Sequence, residues 1–96
     1  MPASVFVDGK KLSLNPFMTS FTGNIIQAMA RSLKTPEGNR IEFTLESDNL
    51  SLAVDGQEVP LTAGSARQIV GNLFRGLLQS LHGAEAGKEF RFIYEP

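Results

Sequence analysis

The sequence predicts an α+β fold in which one strand–turn–strand–helix–strand unit occurs twice, giving a mainly antiparallel sheet with two helices packed on it. Three repeated phrases carry this expectation. VDGKKLSL (Val7 to Leu14) returns as VDGQEVPL (Val54 to Leu61), and GNIIQAMARSL (Gly23 to Leu33) returns as GNLFRGLLQSL (Gly71 to Leu81). IEFTLE (Ile41 to Glu46) returns as FRFIYE (Phe90 to Glu95). A unit of about 45 residues, repeated once, accounts for nearly the whole chain. Residues 1–96 are therefore expected to form a single domain with copies over 3–47 and 50–96, related by a pseudo-two-fold axis.

Each unit opens with a hairpin. Asp-Gly between alternating apolar runs signals a two-residue type I′ turn, because both central residues must take positive φ. That loop pairs Val5 with Leu12 and Val7 with Lys10, so Val5, Val7, Leu12 and Leu14 share a face. In the second copy Leu50, Leu52, Val54, Val59 and Leu61 do the same. Pro60 removes a ladder donor and points to a sheet edge.

The helices follow. Asn15 is a favoured cap with Pro16 at the first helical position, and Ser65 with Gln68 forms a capping box. Phe17, Phe21, Ile25, Ala28, Met29 and Leu33 make the apolar stripe of the first helix. Ala66, Ile69, Val70, Leu73, Phe74, Leu77, Leu78 and Leu81 make the broader stripe of the second. Both stripes are expected to face the core. Pro36 and Gly83 are stop signals.

The last strands alternate, with Ile41, Phe43 and Leu45 on one face and Phe90, Phe92 and Tyr94 on the matching one. A turn centred on Asp48 and Asn49 would set Leu45 opposite Leu52. If the third strand pairs with the fourth, symmetry pairs the sixth with the first, and the copies exchange their last strands. The alternatives are copies that each close on themselves, or a ferredoxin-like plait with the Asp-Gly hairpins as ornaments.

Composition limits the chemistry. With 42% hydrophobic and 20% charged residues the chain has the make-up of an ordinary globular domain. It has no cysteine, which removes disulfides, thiolate metal sites and cysteine nucleophiles. Nine basic and ten acidic residues are scattered to a net charge of −1, which counts against duplex nucleic acid as a partner. No apolar run is long enough to cross a bilayer and no secretory leader is visible, so a cytoplasmic location is expected.

The run VDGKKLSLNPF…NIIQAMARSLK resembles a group of very short, functionally uncharacterised prokaryotic proteins that hold a single hairpin-helix-strand unit with a DG…LNPF…SLK pattern. The resemblance covers the first copy; the second departs from it, with LTAGSA in place of LNPFMT. It implies no activity. It does imply that a one-unit protein would dimerise and that this chain holds both halves.

Few residues offer chemistry. His82 at the end of the second helix is a candidate base or ligand, or simply a complement to the helix dipole. Glu42 and Glu46 lie on one strand face, as a carboxylate pair or as solvated charges. Ser65 and Arg67 in TAGSAR are a candidate anion site, although the segment lacks the lysine and glycine spacing of a phosphate-binding loop. Asn24 and Asn72, each following a mid-helix glycine, are a candidate polar contact between the helices, since both residue types are poor helix formers. Phe6 and Ile93, with Ala53 and Pro60 more peripheral, fall on the sheet face opposite the core set and are a candidate interaction surface.

No catalytic constellation, metal cluster or cofactor fingerprint is present. The expected function is a small non-catalytic interaction module, monomeric or weakly homodimeric, that binds a protein partner or itself and engages neither membrane nor duplex nucleic acid. A small-ligand-binding or regulatory domain is the alternative. A single-stranded nucleic-acid binder is the third, and it would need aromatic residues on an open sheet face.

Overall fold

The computed structural model describes residues 3–35, 38–46, 49–61, 64–81 and 87–95, without the side chains of 64–66. Along the chain lie β1 (Ala3–Val7), β2 (Lys10–Lys11), α1 (Pro16–Ser32), β3 (Ile41–Glu46), β4 (Asn49–Val54), β5 (Gln57–Val59), α2 (Gly64–Gln79) and β6 (Glu89–Tyr94). The six strands form one open antiparallel sheet in the order β2-β1-β6-β3-β4-β5.

Both Asp-Gly turns take the expected form. Asp8 and Gly9 have φ of 50° and 84°, and Asp55 and Gly56 have 53° and 83°. Each turn is also fastened to a distant strand. Asp8 Oδ1 accepts hydrogen bonds from the backbone N–H of Glu89 (2.9 Å) and Lys88 (3.0 Å), and the Asp8 N–H donates to the Glu89 carbonyl. Asp55 makes the same set: its Oδ1 accepts from Arg40 (2.8 Å) and Asn39 (2.9 Å), and its N–H donates to the Arg40 carbonyl. An aspartate in a turn thus caps the start of a strand far away in sequence.

The order decides between the topologies. β1 pairs with β6 and β3 with β4, so each final strand lies against the hairpin of the other half. β3 and β6 are neighbours at the centre with hairpins at both edges, which excludes the plait and the self-closed copies. The Leu12 N–H donates to the Val5 carbonyl at 2.8 Å, so the expected Val5–Leu12 pairing holds although β2 itself ends at Lys11, and Leu12 and Leu14 rest half-buried against the core. One detail differs from expectation. The β3–β4 register sets Glu46 opposite Asn49 and Leu45 opposite Leu50, where the expected turn set Leu45 opposite Leu52. A slip of two residues keeps every side chain on its face, which is why the expected core set survives.

One face of the sheet carries Val5, Val7, Phe43, Leu45, Leu50, Leu52, Val54, Phe92 and Tyr94, all buried in a single cluster with residues of both helices. Phe43 and Phe92 pair directly, and the Phe74 ring packs on both, with centroids 5.0 and 4.3 Å away. α1 starts where Asn15 Oδ1 accepts from the Met18 N–H at 2.7 Å, with Pro16 following. It ends with Lys34 in the left-handed region at φ 55°, where the Lys34 N–H donates to the Arg31 carbonyl and the Thr35 N–H to the Ala30 carbonyl. Ser65 as a capping side chain, Pro36, His82 and Gly83 lie outside the described residues.

α1 is rotated from its expected orientation, whereas α2 buries most of its expected stripe and turns only the Ile69–Leu73 edge outward. α1 buries Thr22, Gly23, Ile26 and Ala30, and leaves Phe17 and Phe21 exposed. α2 buries Val70, Phe74, Leu77 and Leu78, and leaves Ile69 and Leu73 exposed. Gly23 lies on the buried flank of α1, next to Ala3 and Tyr94.

Candidate docking surface

The uncovered sheet face carries Ser4, Phe6, Lys11, Glu42, Thr44, Glu46, Ser51, Ala53, Glu58, Glu89, Arg91 and Ile93 by register. It is not an apolar patch. Ile93 is only 7% exposed, which corrects its expected role as a contact residue. Its cross-strand neighbours are Ser4 and Glu42, and Arg91 precedes it on the same face. Glu42 is held by Arg40 at 2.8 Å and by Arg91 at 3.8 Å, Arg40 reaches Glu95 at 3.6 Å, and Arg91 reaches Glu89 at 3.5 Å. By register Ile93 lies among these paired side chains. Phe6 stands opposite Arg91 rather than beside Ile93, and it is half-buried, as is Ala53 opposite Glu42; Pro60 is exposed beyond β5. Glu42 is therefore one half of ion pairs, and Glu46 is exposed.

Asn24 and Asn72 are both exposed, so the expected polar contact between the helices is not made. At 100° per residue each asparagine stands one step past a buried glycine and is swung to solvent. Asn72 Oδ1 accepts from Arg75 Nη1 at 3.0 Å within its own helix. Arg67 donates to the Leu50 carbonyl at 3.4 Å, anchoring α2 to the start of β4. A shallow cleft brings Arg67, Asn72 and Arg75 together beside Leu45 and Leu50, while the Ser65 side chain is outside the described residues.

The exposed apolar surface lies on the helices. Phe17 is 69% exposed, Ile69 66%, Phe21 43% and Leu73 39%. Phe17 and Phe21, one turn apart, stack with centroids 5.7 Å apart. On α1, Gln27, Ala30 and Arg31 border a cleft with Ile41 and Tyr94, at the start of β3 and the end of β6. On α2, Gln68, Gly71 and Arg75 border the cleft with Leu45 and Leu50, at the opposite end of β3. Each helix thus turns one flank to a rim of the sheet. Phe21 and Ile25 on α1, and Ile69 and Leu73 on α2, lie on the flanks away from those clefts.

The two helices, of 17 and 16 residues, contain Arg31, Arg67 and Arg75 as their only charged side chains. A layer without lysine, aspartate or glutamate, carrying exposed aromatic and aliphatic residues, has the composition of an interface core. That absence of lysine and acid was the sequence signal that marked this surface. Stripe width pointed the other way, because each stripe is broader than the arc a helix buries on a sheet.

The Asp8 carboxyl is held below its ordinary pKa by the hydrogen bonds it accepts from the Glu89 and Lys88 backbone. Among the described residues no group of three or more histidine, aspartate or glutamate side chains could hold a metal ion, and no helix is long and apolar enough to cross a membrane. Comparisons with known protein families, with characterised proteins and with solved structures find no match.

Proposed function

We propose that the chain is a non-catalytic cytoplasmic interaction module, built by duplication of one ββαβ unit about a pseudo-two-fold axis, that docks through its helical layer. The observation that carries the docking reading is the exposure of Phe17, Phe21, Ile69 and Leu73 on helices free of lysine and acid. The duplication is supported by the matched fastenings of Asp8 and Asp55 and by Phe43 facing Phe92 at the middle of the central strand pair. It accords with the resemblance of the first half to one-unit prokaryotic proteins. A chain without cysteine draws nothing from an oxidising compartment, which suits the cytoplasm.

The test is site-specific photocrosslinking in cells, with the reactive residue at Phe17 or Ile69 and, for contrast, at Ala53. Adducts from the two helical positions and not from Ala53 are expected. Adducts from Ala53 alone would move the docking surface to the sheet.

A second reading has its own observation. Arg67, Asn72 and Arg75 line one cleft, which suits a small anionic ligand. Saturable shifts of the Arg67 and Arg75 side-chain resonances on titration with inorganic phosphate would favour it; their absence would remove it.

A further inference from the structure

Resting on that docking reading, we infer that the occupant of the helical layer is a second copy of this chain, packed layer to layer about a two-fold axis. The first reason is size. The molecule measures 31 × 28 Å across its two long axes, and such a face is close to the ~800 Å² that each partner gives to a standard interface. The exposed parts of Phe17, Phe21, Ile69 and Leu73 add up to roughly 400 Å² of apolar surface, so a dimer would hide twice that amount before any polar contact is counted.

The second reason is charge. In a two-fold contact, charges at or near the axis meet their own images and repel. Here the centre has none. Arg67 is tied to the Leu50 carbonyl and Arg75 to Asn72, and Arg31 borders the rim cleft with Tyr94. All three arginines therefore stand at the flanks that face the sheet ends, outside the apolar stripe.

The third reason is the unlike character of the two exposed apolar surfaces, one on each helix. That of α1 is aromatic, with Phe17 stacked on Phe21, and that of α2 is aliphatic, with Ile69 and Leu73 one turn apart. A two-fold axis between the helices lays the α1 surface of one copy on the α2 surface of the other, a self-complementary arrangement. The opposite face offers no such match, because it carries ion pairs and its Ile93 is buried.

The test is sedimentation equilibrium of the full chain across micromolar concentrations. A reversible dimer is expected, weakened at least about tenfold by Phe17→Ser and by Ile69→Ser and unchanged by Ala53→Ser. Circular dichroism should show both helical variants folded, since each replaces an exposed side chain. A monomer at every concentration, or a dimer indifferent to both replacements, would overturn the inference. If the chain stays monomeric while photocrosslinks at Phe17 and Ile69 capture a different protein, the docking reading stands and the second copy is excluded.

Discussion

Phe43 and Phe92 stand directly opposite each other on β3 and β6, and Phe74 of α2 packs against both rings. This places the last strand of each half at the centre of a core that neither half completes alone. Replacing Phe92 or Phe74 with Ala should cost about 3–5 kcal/mol of unfolding free energy. The double variant should lose less than the sum, because the rings share contacts. Urea unfolding followed by circular dichroism measures all three, and strict additivity would mean that the rings do not act as one cluster.

Thr22 is fully buried in α1, and its Oγ1 has no hydrogen-bond partner among the described residues. Val70 precedes Gly71 as Thr22 precedes Gly23, and it is also buried. Thr22→Val removes an unsatisfied hydroxyl with little change of shape and should stabilise the protein by about 1 kcal/mol. A destabilised variant would reveal a partner for that hydroxyl.

Gly76 lies inside α2, and a Cβ there would meet nothing within 4 Å. Gly76→Ala should therefore gain about 1 kcal/mol from helix propensity alone. Gly38 and Gly87 are the contrasting case. A Cβ on Gly38 would collide with Val54 Cγ1 and the Asp55 carboxylate, and one on Gly87 with Val7 Cγ1 and the Phe90 ring. Both Gly→Ala replacements should destabilise, and to a similar degree if the two halves are equivalent. Thermal melts of the pair measure the difference directly.

The lowered pKa of Asp8 sets the sign of a pH effect. A carboxylate depressed in the folded state contributes stability above its unfolded pKa, and this contribution is lost as pH falls through the folded value. Wild type should be more stable than Asp8→Asn at neutral pH, with the gap closing as pH drops below about 4. Asparagine tolerates the positive φ of this turn, so the comparison isolates the charge. Urea midpoints at several pH values give the result, and a gap that widens on acidification would reverse the assignment.

Much of the fold was legible because independent local signals agreed. Asp-Gly set both hairpins, alternation placed Phe43 and Phe92 on the core face, and aligning the similar phrases led from the pairing of β3 with β4 to that of β1 with β6. The inward face of α1 was not legible. Its apolar residues cover a wider arc than the sheet can bury, so the pattern alone could not say whether Ile26 or Phe17 pointed inward. The burial of Ile93 was hidden for a different reason: by register it lies among the paired side chains of Glu42 and Arg91, a relationship between strands that no single segment displays.

The docking claim is tested most directly by amide spectra recorded over a series of protein concentrations. Concentration-dependent shifts confined to the turns around Phe17–Phe21 and Ile69–Leu73, with Phe6, Glu42 and Arg91 unchanged, are expected. Shifts on the sheet face around Glu42 and Arg91, with the helices silent, would contradict the assignment of the helical layer as the interaction surface.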